Sequence, residues 1–273
     1  MNRSDLATVP LGERLTVRHR LPDGRATDVV GTLVARDRTA VTVRTRTGED
    51  VRVDLAAVIV HRVVRPAPWR VATFLQRAQV AVLDLDGVVR SFDADGWLAR
   101  AERDLGVDAG GLLELAFGLP EAEAMLVGRS TYDGWLAAVR ARLLADGRPA
   151  HVVGETMSTW VADRGAPVAA TVALVDELAA RGTPTFVFTN GTDRVPAELE
   201  HIGLGHLVPW LINSADLGAA KPDLEAYAAA HARIEAHLGR TVAREDVRFT
   251  DDRPANVDAA REFGWQGRVF THP

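Results

Sequence analysis

The sequence predicts an α/β fold: a doubly wound parallel sheet with a block of helices inserted after its first strand, preceded by a small all-β barrel. Three observations predict it. The stretches Val80–Leu85, Phe186–Asn190 and Val247–Asp252 start apolar, end in acids, a hydroxyl or an amide, and are separated by helical periodicity. That is the pattern of buried parallel strands with chemistry at their carboxyl ends. Residues 92–166, between the first two runs, carry only helical patterning, whereas residues 12–65 alternate at period two. Charge divides the chain in the same way. Through Arg70 there are 13 arginines against 8 acids, and the remainder holds 19 basic and 29 acidic residues.

The bounds are those of a soluble protein of 273 residues, long enough for two modest domains. Cysteine is absent, which excludes disulfides and thiolate metal sites. No apolar run approaches the roughly 18 to 20 residues of a membrane span, and the polar start leads into no signal-peptide core. A cytoplasmic location is expected, with no membrane partner. The expected domains are a β-barrel over 1–65, a linker over 66–70, a sheet-and-helix core over 71–91 and 167–273, and the helical block over 92–166.

In the first domain Leu15, Val17, Val29, Leu33, Val41, Val43, Val51 and Val53 alternate with charged or hydroxyl residues, and Pro22–Gly24 and Thr47–Asp50 supply turns. Five short strands with one apolar face suggest a closed barrel, which removes exposed sheet edges. Its arginines could follow a nucleic-acid backbone or line a solvated face. No Phe, Tyr or Trp occurs in residues 1–65, so single-strand recognition by stacking has no platform. The two prolines of Arg65–Trp69 mark the linker.

A short helix over Val71–Ala78 is expected next, then the strand ending in Asp84, Asp86 and Gly87. Asp84 and Asp86 point the same way if the chain stays extended. Two such carboxylates in apolar surroundings repel, so they need a cation or a shared proton; a divalent metal with oxygen ligands, Mg²⁺, is the economical answer. Alone, Asp-x-Asp-Gly reads equally as a calcium-type loop or a turn. Helices are expected over Trp97–Leu105, Gly111–Phe117, Glu121–Val127, Tyr132–Leu144 and Val152–Ala162. The core resumes with helix Val168–Ala180, strand Thr185–Phe188, helix Asp193–Ile202, strand Leu211–Ser214, helix Asp223–Leu238, strand Val247–Thr250, helix Asn256–Phe263 and strand Arg268–Phe270. Pro222 suits the first turn of its helix, which sets Lys221 at a helix start. Lys221 is the only lysine among 32 basic residues, so one position kept a compact ammonium where all others became guanidinium.

The Asp84–Asp86 strand end, the Thr189 strand end, Lys221–Pro222 and the acid pair Asp251–Asp252 occur in the order of the four motifs of the haloacid-dehalogenase-like (HAD) hydrolase superfamily. Residues 71–273 resemble that superfamily, and residues 92–166 resemble the helical cap that its first structural subclass carries at this point. Residues 12–65, with Arg18–Gly24, resemble the small Src-homology-like barrel found ahead of acetyltransferase domains in some bacterial proteins.

The superfamily resemblance implies a Mg²⁺-dependent phosphatase acting on a small phosphorylated metabolite. Asp84 would be the nucleophile and Asp86 the general acid and base. Thr189, helped by Asn190, would donate to the phosphoryl group, and Lys221 would balance charge. Asp84, the Asp86 carbonyl and the Asp251–Asp252 pair would hold the metal, with the directly ligating member of that pair left open. Asn256 would anchor the loop or cap a helix. In the cap, Arg129, Trp97, Tyr132 and Trp135 are candidate substrate contacts, with Phe92 and Asp93 at the hinge. The alternatives are a phosphomutase, a dehalogenase, which in this family lacks the second aspartate, or a nucleic-acid- or protein-binding factor acting through the barrel. A phosphonate hydrolase would need a lysine in the cap, and none is there.

Overall fold

The computed structural model describes residues 6, 9–63, 69–92 and 96–273, so Asp93 and most of the expected linker lie outside the described residues. The chain divides into two compact units, Met1–Pro68 and Trp69–Pro273.

The first unit is one antiparallel sheet of β1 (Arg14–Arg20), β2 (Ala26–Arg36), β3 (Ala40–Thr45), β4 (Asp50–Asp54) and β5 (Val58–Val63). The ladder order is β4-β3-β2-β1-β5. Alternation decides the buried face: Leu15, Val17, Val29, Leu33, Val41, Val43, Val53 and Val58 form one cluster, with Val51 only partly covered. β2 is long and shifts register between Leu33 and Ala35, which lets one strand serve both β1 and β3. β4 and β5, the two end strands of this order, are joined by a single 3₁₀ turn, Leu55–Ala57. Arg18, Arg25, Arg44 and Arg52 pair with Asp28, Asp23, Asp50 and Asp37 inside this unit. Four of its arginines are therefore held in local ion pairs, and the net basic surplus stays.

The second unit begins with α1 (Arg70–Leu75), β6 (Val80–Leu83) and the two-residue β7 (Arg90–Ser91). A helical block follows: α2 (Trp97–Leu105), α3 (Gly111–Phe117), α4 (Pro120–Leu126), α5 (Tyr132–Ala145) and α6 (Ala150–Ala162). β8 (Ala166–Pro167) returns the chain to α7 (Ala169–Ala180), β9 (Thr185–Thr189), α8 (Val195–His201), β10 (Leu211–Asn213), α9 (Ser214–Leu217), α10 (Leu224–Leu238), β11 (Val247–Asp251), α11 (Pro254–Phe263) and β12 (Gln266–Val269).

The sheet order is β10-β9-β6-β11-β12, and every ladder in it is parallel. The three strands whose ends carry the motifs are thus adjacent, with β6 in the centre. Ala81, Leu83 and Val187 face a layer built from α1, α7 and α8. Their neighbours Val80, Val82, Phe186, Phe188 and Phe249 face α10 and α11. This doubly covered sheet is why its strands read as continuous apolar runs rather than alternating ones.

The helical block has its own core, including Leu105, Leu112, Met125, Trp135, Val139, Leu143 and Val153. It is tied to the sheet layer by the antiparallel ribbon of β7 and β8, pairing Arg90 with Pro167 and Ser91 with Ala166. Two-residue strands have no readable period, so this ribbon was not anticipated. Pro222 is also displaced from expectation: α10 starts at Leu224 after an Asp223 N-cap, and Pro222 lies before it, joined to Lys221 by a cis peptide.

Candidate active site

Asp84 directly follows β6, and its amide donates to the Thr250 carbonyl at 2.9 Å, fixing it against β11. Lys221 approaches from the loop ahead of α10. Its Nζ donates to Asp84 Oδ1 at 2.8 Å, Asp251 Oδ2 at 2.7 Å and the Phe188 carbonyl at 2.8 Å. All three ammonium protons are thereby satisfied in a site where Lys221 is only 4% exposed. Burial works against the charge on Lys221, but the flanking Asp84 and Asp251 outweigh it and raise its pKa above the ordinary lysine value. Burial pushes the Asp84 carboxyl the other way, up to about 7, against the pull of Lys221 and with the help of Asp251.

Asp251 and Asp252 differ in their surroundings. Asp251 is fully buried; its Oδ2 also accepts from Asn256 Nδ2 at 2.9 Å and its Oδ1 from the Arg253 amide at 2.8 Å. Asn256 lies inside α11, so it anchors Asp251 rather than capping a helix. Asp252 is exposed, and its carboxylate lies beside Gly87. A Cβ on Gly87 would stand 2.4 Å from Asp252 Oδ2, and Gly87 has φ +87°, so the missing side chain makes room for this carboxylate.

Asp84, Asp251 and Asp252 each offer a carboxylate oxygen within 4.8 Å of the others. Two of the three are buried, with Lys221 between Asp84 and Asp251 and Arg253 acting on Asp252, so the three carboxylates outnumber these two cations. The donor set is all oxygen, as Mg²⁺ requires.

Thr189, at the end of β9, is buried and lines the same cavity. Asn190 lines the cavity too and is held by the backbone of Lys221. Its Nδ2 donates to the Lys221 carbonyl at 2.7 Å and its Oδ1 accepts from the Lys221 amide at 2.8 Å, so its side-chain amide clamps the lysine backbone. Arg129 is not brought to the site: it pairs with Glu123 at 3.1 Å, both side chains exposed, and does not line the cavity. Trp97, Tyr132, Trp135 and Phe92 do line it.

Sequence reasoning missed Arg90. Buried in β7, it donates from Nε to Asp86 Oδ1 at 2.6 Å, from Nη2 to Asp86 Oδ2 at 3.1 Å and from Nη1 to Glu198 Oε2 at 2.9 Å. Both Asp86 oxygens are therefore engaged by a residue of the ribbon that leads into the helical block. The available signal was an arginine directly after the apolar pair Val88–Val89, a position where burial demands a partner.

Among solved structures the chain is similar to a dehalogenase determined with an intermediate complex, at 17% identity and TM-score 0.52, over 69% of this chain and 83% of that one. A second dehalogenase structure gives 19% identity and TM-score 0.50 over 68% and 81%. A HAD family enzyme from Bacteroides thetaiotaomicron, solved with magnesium and inorganic phosphate, gives 15% and 0.45 over 70% and 92%. The second unit thus shares the fold of those two dehalogenases. Residues 9–62 match the family model described as Rv0428c N-terminal Sm-like domain. The comparison with curated proteins finds no match. No helix among the described residues is long and apolar enough to cross a membrane.

Proposed function

We propose that the protein is a Mg²⁺-dependent phosphatase that hydrolyses a small phosphorylated metabolite through an aspartyl-phosphate on Asp84. The observation that carries this reading is the convergence of Asp84, Lys221 and the Asp251–Asp252 pair on one cluster, with Thr189 lining the cavity that reaches Asp84. In the first step an Asp84 oxygen attacks phosphorus as the bond to the ester oxygen breaks, and Asp86 gives that oxygen its proton. In the second step water attacks the phosphorus, Asp86 takes the proton, and phosphate leaves with Asp84 restored. Lys221 and the Thr189 hydroxyl balance the charge of the moving group.

Mg²⁺ would be held by Asp84, Asp252 and the Asp86 carbonyl, where it would neutralise charge on the phosphoryl oxygens. Asp252 is the open member of its pair, because both Asp251 oxygens already accept from N–H donors. The helical block serves as the cap over the site. Because Arg90 engages both Asp86 oxygens, delivering the proton requires one of those bonds to be exchanged for the ester oxygen. Glu198 keeps Arg90 paired while that happens.

The second aspartate, Asp86, favours phosphoester over haloacid chemistry. The test is release of inorganic phosphate from a generic phosphomonoester with Mg²⁺ by the protein and its Asp84→Asn variant. Loss of about 10³-fold or more in rate with unaltered thermal unfolding is expected; an unchanged rate overturns the proposal.

A further inference from the structure

The cavity that reaches Asp84 has a volume of about 710 Å³, and its walls differ in character. At the sheet it is acidic and polar. The wall from the helical block includes Phe92, Trp97, Leu113, Phe117, Trp135 and Trp160. Four of these rings form a chain: Trp97 and Trp160 lie 5.7 Å apart, Trp160 and Trp135 5.5 Å, and Trp135 and Phe117 5.2 Å. Phe117, Phe92 and Leu113 stay 53%, 44% and 37% exposed, an apolar surface lining a cleft.

The charged residues that the block adds to the lining are Glu123 and Asp163, both acidic. Among the described residues, the lysines and arginines lining the cavity are Arg90, Lys221 and Arg253. The first two are held in buried ion pairs, and Arg253 adjoins Asp252 at the acidic end. A second phosphate or a carboxylate on the ligand would therefore meet an aromatic wall with acids beside it. A polyhydroxy chain would lose its water against that wall without matching donors. A haloacid of a few atoms would leave most of the volume unfilled.

We infer that this site takes phosphate monoesters whose alcohol is apolar and aromatic and bears no second anionic group. The inference rests on the phosphatase reading for the phosphate end and on the aromatic wall for the alcohol end. Aromatic rings stacked or edge-on against Trp135, Trp160 and Phe117 would bury area that a sugar cannot.

The experiment compares hydrolysis of 2-phenylethyl phosphate and glucose 6-phosphate, both esters of a primary alcohol, by the full chain with Mg²⁺. In parallel, the indole N–H resonances of the six tryptophans are followed as 2-phenylethanol is added. The expected result is a kcat/KM about 100-fold larger for the aromatic ester. Resonances of Trp97, Trp135 and Trp160 should shift, and those of Trp69, Trp210 and Trp265 should not. Phe117→Ser should raise KM for the aromatic ester about tenfold, and an unchanged KM counts against the inference. Equal rates, or a preference for the sugar ester, overturn the inference and leave the phosphatase reading standing. No hydrolysis of either ester with the three indoles shifting overturns the phosphatase reading and keeps the ligand class. No hydrolysis and no shift overturn both.

Discussion

Lys221 bridges two buried carboxylates from positions 137 and 30 residues away along the chain. One ammonium cannot neutralise both, which is the electrostatic case for a divalent cation beside it. Lys221→Met leaves Asp84 and Asp251 facing each other unpaired. It is expected to destabilise the second unit by about 3–5 kcal/mol in urea unfolding. Lys221→Arg should not restore function, because a planar guanidinium is wider than the gap an ammonium bridges.

The raised pKa of Asp84 sets a pH dependence. Between the ordinary carboxylate value of 3.8 and about 7, the folded metal-free site binds more protons than the unfolded chain. Its contribution to stability is therefore present at low pH and declines as pH rises through that window. A cation must displace the same proton, so Mg²⁺ affinity should fall as pH drops below about 7 and level off above it. Calorimetric titration in buffers of different ionisation enthalpy reads this directly; an affinity flat from pH 5 to 8 contradicts it.

At the scale of elements, the turn after β6 does two things at once. The Leu85 carbonyl accepts from Val89 and Arg90 at 2.8 Å, and the Gly87 amide donates to the Arg90 carbonyl at 2.7 Å, closing the chain tightly on itself. That turn sets Asp86 beside the ribbon and makes space for Asp252. Gly87→Ala puts a methyl group into the Asp252 carboxylate and forces φ +87° on a side-chain-bearing residue. A stability loss of about 1–2 kcal/mol is expected, with a larger proportional loss in Mg²⁺ affinity. Retention of full affinity in the folded variant would remove Asp252 from the metal site. Arg90 couples this turn to α8 through Glu198. Arg90→Leu leaves Glu198, 8% exposed, without that partner, and urea unfolding should register a loss of about 3 kcal/mol.

At the scale of the whole molecule, two units with separate apolar cores should unfold separately. Calorimetry of the full chain is expected to resolve two transitions. Mg²⁺ should raise only the one belonging to Trp69–Pro273, by about 2.7 kcal/mol at 100-fold excess over its Kd. A shift of both transitions together would mean that the units unfold as one.

The sequence alone determined most of the strands and helices, the β7–β8 ribbon and the short α9 excepted, because an element that buries its own face writes the period of that face locally. All five helices of the block were expected within two residues of their observed ends, Thr185–Thr189 and Val247–Asp251 end on the expected polar residues, and Asp84 directly follows Val80–Leu83. The sole lysine was equally legible, since a residue type used once in an arginine-rich chain is visible without coordinates. Only the tertiary structure decided which polar groups meet. It turned Asn190 onto the Lys221 backbone, gave Asp251 to Lys221 and Asn256, left Arg129 with Glu123, and brought Arg90 to Asp86 and Glu198. Hydrogen-bond partners depend on distances between elements far apart in sequence, and no local periodicity encodes those distances.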